Sequence, residues 1–369
     1  MKVLKTTIIL MVAALFVFVG CEKDELVSAD NNNAPKGENY LTTTPETDEN
    51  TDILYSVSLK HGMLNFTDME QLRKCNGQMV QMKKEELNEW EDYLSFTSQQ
   101  RILGNAIDAE FESFCTEDVE GMSKKELKQL YDKKQQQGYT DYTQKYIDAG
   151  LIKANSPEDL LSLELTVASW VHPRFLNQDG MVKVGSTIYQ FTSTLCKELI
   201  NGDFSKINIL KKTKQDKPEN NIKIGYLAET NKDFHGEIAF AQESNGSSWG
   251  DKKIKASIWI RRWDYPSSGV KTYLYYLKYE NYIYRWWDWK QDDKADTYGY
   301  ASVSTVWDSG NQYGYENYSV NDWWSYNIHV LWLTEIPYSE LVTFEDSNYS
   351  WFKRDDVTGI NLDHMEISL

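Results

Sequence analysis

The chain is poorly supplied with residues that hold metals or build a disulfide framework. It has four cysteines in 369 residues, Cys21, Cys75, Cys115 and Cys196. Their spacings match no zinc motif. Cys21 has a separate use, given below, and the other three allow at most one bridge; buried free thiols are the simpler reading. The histidines His61, His172, His235, His329 and His364 share no ligand spacing, such as two four apart on a helix. No metal and no other cofactor is expected. Positive charge is also scarce, with 39 Lys and Arg against 56 Asp and Glu and a net charge of −17. A surface so acidic repels phosphate backbones, so nucleic acid is not an expected partner. No long apolar run is present either. The longest, at 8–19, is shorter than the roughly 20 residues a membrane span needs.

That run fits a different use. Lys2 and Lys5 precede it, which makes residues 1–20 an expected export signal. It ends in Phe18-Val19-Gly20-Cys21. The ending resembles the lipobox of bacterial lipoproteins, with Val17 or Phe18 where that family usually has Leu. The resemblance implies lipidation of Cys21 and attachment to a membrane through that lipid. Loss of Lys2 and Lys5 with the signal would take the net charge from −17 to −19. Glu22-Lys23-Asp24-Glu25 follows at once, and this cluster resembles the surface-export signal of Bacteroidetes lipoproteins. It implies an outer-membrane address facing the cell exterior. Residues 21–52 are rich in Asn, Thr, Pro and acid and read as a disordered tether.

Residues 53–165 read as mainly helical. Ile53, Tyr55, Val57 and Leu59 alternate first, as in a short strand. Thr67 then caps a short helix, with Glu70 three residues on. Leu87, Trp90 and Leu94 form one helical stripe, and Ile102, Ile107, Phe111 and Phe114 another. Ser123 and Glu126 make a capping box for a helix through Gln137 that Gly138 stops. Ser156-Pro157-Glu158-Asp159 is a further helix start.

Residues 166–369 change character and read as a Trp/Tyr-rich antiparallel β-domain. Residues 171–176 and 181–184 flank the turn signal Asn177-Gln178-Asp179-Gly180. Gly185 allows the next turn. Residues 195–200 read as a brief helix and 207–210 as a strand. Strands are then expected near 222–229, 237–242, 253–263, 270–279, 282–289, 298–306, 323–334 and 360–367. Pro266 to Gly269 and Glu280-Asn281 are among the turns between them. The predicted fold is α+β: a short helical N-terminal region followed by an antiparallel β-domain, sandwich-like or a curled sheet.

No catalytic motif survives inspection. Gly246-Ser247-Ser248-Trp249-Gly250 has the residues of a nucleophile elbow, but an alternating segment follows it where a helix is required. Asp363-His364 is a bare acid–base pair. Asp292, Asp293 and Asp296 surround Lys294, which spoils a calcium loop. The more distinctive feature is aromatic. Ten of the 13 Trp fall between residues 254 and 351. Ile254, Ala256, Ile258 and Ile260 alternate with Lys255, Ser257, Trp259, Arg261 and Trp263, which puts rings on the face opposite the aliphatics. The pairs Trp286-Trp287 and Trp323-Trp324 must send rings to both faces. The expected ligand-binding residues are therefore Trp259, Trp263, Trp287 and Trp323 as an outward stacking platform, with Arg261 beside them. The expected function is non-catalytic binding of a glycan or another extracellular polymer. A glycoside hydrolase or other hydrolase is the first alternative, and a structural or assembly partner of envelope proteins is the second.

Overall fold

The computed structural model describes residues 53–79, 82–115, 122–154, 163–228, 240–243, 252–285, 288–291, 297–307, 312–321, 327–345, 351–354, 357–361 and 366–368. Side chains are described up to residue 228 except Phe111, Phe114, Cys115, Lys124, Leu127 and Tyr131. Beyond that they are described over 260–276, without Tyr275, and over 335–343. The expected signal, Cys21, the tether and the Ser156 helix start lie outside these residues.

The fold is α+β. The described helices are α1 (Met69–Met79), α2 (Lys84–Tyr93), α3 (Gln99–Cys115), α4 (Lys124–Gln137), α5 (Asp141–Asp148) and α6 (Ile207–Lys212). No described helix is long and apolar enough to cross a membrane. The caps explain most of the boundaries. Ser123 and Glu126 close the expected box at α4: the Ser123 N–H donates to Glu126 Oε2 at 2.8 Å, and the Glu126 N–H to Ser123 Oγ at 3.4 Å. Gly138 ends the helix with φ +74°. At α1 the cap is Asp68, not Thr67 as expected. Asp68 Oδ1 accepts the Gln71 N–H at 2.8 Å, and a carboxylate there also faces the positive end of the helix dipole. Thr140 caps α5 and also ties it to α3, since its Oγ1 donates to Glu110 Oε1 at 2.7 Å.

The larger sheet runs β1 (Ser58–Lys60), β2 (Met63–Phe66), β5 (Met181–Val184), β6 (Thr187–Phe191), β7 (Leu195–Leu199), β8 (Ile222–Leu227), β10 (Lys252–Tyr265), β11 (Val270–Arg285) and β12 (Asp288–Gln291). β9 (Phe240–Glu243) also pairs β10, and β15 (Asn327–Pro337) pairs β11. A two-stranded sheet joins β3 (Ile152–Ala154) to β4 (Leu163–Leu165). A further sheet comprises β13 (Thr297–Trp307), β14 (Gln312–Asn321), β16 (Val342–Glu345), β17 (Trp351–Arg354), β18 (Val357–Asn361) and β19 (Glu366–Ser368). The named strands pair antiparallel except β2 with β5, which run parallel over Asn65–Lys183 and Phe66–Val184.

Leu54–Ser56 is a 3-10 turn where a short strand was expected, and four further expectations need correction. Residues 195–200 do not form a helix; β7 is a central strand bonded to β6 and β8. Residues 207–210 form α6, not a strand, with Leu210 buried. Both segments are about six residues long, where periodicity alone cannot separate helix from strand. Residues 171–176 are not a hairpin strand: Pro173–Phe175 is a 3-10 turn. Glu280-Asn281 makes no turn, because β11 runs through it.

The main core lies between the larger sheet and the helices. Leu87 and Trp90 of α2 share one buried cluster with Val182, Val184, Phe191, Cys196, Trp263 and Tyr265 of the sheet. A helix with an apolar stripe and a sheet with an apolar face each supply the surface the other must cover. One buried ion pair fixes their docking. Arg174 Nη1 donates to Glu91 Oε1 at 2.8 Å, with Arg174 1% and Glu91 0% exposed. Ser98 Oγ donates to the same carboxylate oxygen at 2.7 Å. The pair thus joins α2, the start of α3 and the Pro173–Phe175 turn. A smaller core holds Met63, Met181, Ile188, Leu199, Leu210 and Ile224. There the buried Lys197 donates from Nζ to the carbonyls of Leu210 and Lys211, at 3.3 and 2.7 Å, satisfying the end of α6.

Candidate functional site

Of the expected binding residues, Trp287 and Trp323 lie outside the described residues, as does Cys21. So do the stretches 246–250 and 292–296 and His364. Trp259 is placed by its backbone in β10, opposite Tyr276 of β11. Arg261 is half-buried, with its guanidinium carbon 5.1 Å from the centre of the Tyr276 ring. Trp263 contradicts the expectation. It is 0% exposed and belongs to the main core with Trp90 and Trp170. The segment is a strand as expected, but α2 and the segment around Trp170 cover its Trp263 face, so an alternating ring is not an outward ring.

The buried face is tightly built. Tyr265, two residues on from Trp263, lies over the backbone of β8. A Cβ added at Gly225 would sit 2.4 Å from Tyr265 Cζ and 2.7 Å from Cε1. Only glycine lets the ring approach that closely. The Tyr265 hydroxyl lies beside Cys196 and Glu198, and burial raises the pKa of all three groups. Burial likewise pushes the Cys75 thiol up to about 12. Cys75 and Cys196 are free and buried.

The opposite face of the same hairpin is different. The Pro266 to Gly269 turn sets a register without irregularity between β10 and β11. Arg262 therefore pairs with Tyr273 and Asp264 with Lys271, all on the face away from Trp263. β8 places Tyr226 opposite Asp264, and β15 places Ile336 opposite Lys271. Tyr338 follows just beyond the end of β15. The two flanking rings are open to solvent, Tyr226 by 38% and Tyr338 by 41%. Between them Arg262 and Asp264 form a fork, Nε to Oδ1 at 2.9 Å and Nη2 to Oδ2 at 3.1 Å. The Nη2–H donates to Oδ2, and the Nε–Oδ1 approach is an ion-pair contact without hydrogen-bond geometry.

Lys271 is 8% exposed. Its Nζ donates to the Glu340 carbonyl at 3.2 Å and lies 5.9 Å from the Tyr338 ring centre. Burial and the nearby Arg262 cation lower its pKa, and Asp264 partly opposes them. Burial raises the pKa of Tyr338, and Asp264 adds to it. The Tyr226 hydroxyl donates to the Lys214 carbonyl at 3.2 Å, which anchors that ring. Chemically the patch offers two ring faces for stacking. It adds a planar guanidinium–carboxylate pair able to bridge hydroxyl groups, and one cation held beneath a ring.

No protein-family model matches the chain, and no curated protein matches it. A crystal structure of a DUF4848 family protein from Bacteroides thetaiotaomicron is similar at 16% identity. The match covers 85% of this chain and 100% of that one, with a TM-score of 0.27. A likeness at that TM-score carries no argument about fold or function.

Arg262, Asp264, Lys271, Tyr226 and Tyr338 were not singled out from sequence. One local signal existed: Arg262 and Asp264 are two apart in an alternating strand, so their side chains share a face. Tyr226 and Tyr338 reach them only through long-range pairing, which no local pattern reports.

Proposed function

We propose that the protein is a lipid-anchored cell-surface protein that binds a glycan or another extracellular polymer without transforming it. The observation that carries this reading is the patch on the end of the β10–β11 hairpin. Two part-exposed tyrosines flank an ordered Arg262–Asp264 fork and Lys271. Sugar rings present flat C–H faces to aromatic rings and hydroxyls to paired planar polar groups, and this patch supplies both in one place. The lipobox-like Gly20-Cys21, the acidic cluster after it and the polar tether support display outside the cell. The stacking role moves from Trp263, which is buried, to Tyr226 and Tyr338.

A glycan array followed by calorimetry tests the reading. Each stacked ring contributes about 1 kcal/mol, so Tyr226→Ala and Tyr338→Ala should each weaken binding about fivefold. Absence of any bound polysaccharide, or binding indifferent to both substitutions, would overturn it.

A further inference from the structure

Arg262 and Lys271 bring two cations to one patch of a protein whose net charge is −17. Among its side chains Arg262 is neutralised by the Asp264 fork. Lys271 is not. Its ammonium makes no ion pair within 4 Å among the described residues; Glu340 contributes its backbone carbonyl and not its carboxylate. A lysine this buried ordinarily has a carboxylate beside it. Here it has one hydrogen bond, the face of the Tyr338 ring at 5.9 Å, the repulsion of Arg262 and the attraction of Asp264 across the strand pair, which is no contact within 4 Å. Three N–H donors with one acceptor leave room for a negatively charged oxygen next to the open face of Tyr338.

We propose that the patch prefers a polymer whose sugar rings carry an anionic substituent, a carboxylate or a sulfate ester, and that Lys271 is the residue that reads it. This rests on the reading of the patch as a glycan-binding surface. The polymer's substituents must be sparse. The net charge of −17 repels a dense polyanion at long range, while a single anion beside Lys271 meets an ammonium that no described carboxylate approaches within 4 Å. Tyr338 and Tyr226 hold the rings, the Arg262–Asp264 fork takes hydroxyls, and Lys271 takes the substituent.

The test uses the folded protein with three oligosaccharide probes of one backbone. One carries a single uronate, one a single sulfate ester, and one is the carboxyl-reduced neutral form. Binding of the uronate or the sulfate probe about tenfold tighter than the neutral one, by one charge-assisted hydrogen bond, is expected. Which of the two binds tighter names the substituent. In Lys271→Met that preference should vanish, the charged probes binding no tighter than the neutral one. Raising the salt should erode the preference in the unaltered protein. Equal affinity for all three probes would overturn this inference and leave glycan binding standing. Failure of all three to bind, or binding indifferent to Tyr338→Ala, would overturn the underlying reading with it. If Lys271→Met does not fold, the comparison of probes on the unaltered protein decides the question alone.

Discussion

Replacing Arg174 with Met removes one half of the buried pair that docks the helices on the sheet. Glu91 is left 0% exposed with its carboxylate deprived of the 2.8 Å guanidinium contact. Breaking a buried pair from one side costs about 3–5 kcal/mol, because a charge is stranded. Two groups remain near it, Ser98 Oγ at 2.7 Å and Arg101 Nη1 at 3.9 Å. They place the expected loss at the lower end, about 3 kcal/mol at neutral pH. The sign of the pH dependence follows from Glu91. Burial raises its folded-state pKa above the unfolded value, and Arg174 opposes that rise. A carboxyl shifted upward is penalised for ionising once pH exceeds its unfolded pKa, and the penalty grows until pH passes its folded pKa. Loss of Arg174 raises the folded pKa further and enlarges the penalty. The deficit of Arg174→Met against the unaltered protein should therefore grow as pH rises above the unfolded pKa of Glu91 and shrink as pH falls toward it. Urea unfolding over a pH series measures it. A deficit below about 1 kcal/mol, or one that does not change with pH, would refute the reasoning.

Gly225→Ala should destabilise by about 1–3 kcal/mol, since the new methyl must displace the Tyr265 ring from a 2.4 Å contact; thermal unfolding checks it, and an unchanged midpoint contradicts it. Cys75 and Cys196 should resist a thiol reagent in native protein and react on denaturation, because burial keeps both thiols protonated; rapid labelling without denaturant would be the contrary result. Cys21→Ala should release the protein from membranes, and a variant still in the membrane fraction after a salt wash would remove the lipid anchor from the account.

Where the sequence was legible, a short-range physical rule acted alone. The α4 boundaries follow from Ser123, Glu126 and Gly138, and no distant contact is needed to place them. The β10–β11 hairpin follows from Pro266 to Gly269 between two alternating runs. Segments 195–199 and 207–212 were misread because each is too short for its period to decide. Their identity comes from neighbours: β6 and β8 bond the first on both sides, and Lys197 holds the carbonyl end of the second. The Trp263 error is of another kind. Alternation tells which residues share a face and not what covers it, and the cover here comes from α2 and the segment around Trp170. The candidate patch was the least legible of all. It is assembled from β8, β10, β11 and the end of β15, more than 100 residues apart in the chain.

The central claim is that Tyr226 and Tyr338 hold a sugar chain across the Arg262–Asp264 fork. A crystal structure of the protein with a bound oligosaccharide drawn from the array tests it most directly. The account predicts a sugar ring against the open face of Tyr338, with its hydroxyls on Arg262 and Asp264. A saccharide bound on any other surface, with this patch empty, would contradict it.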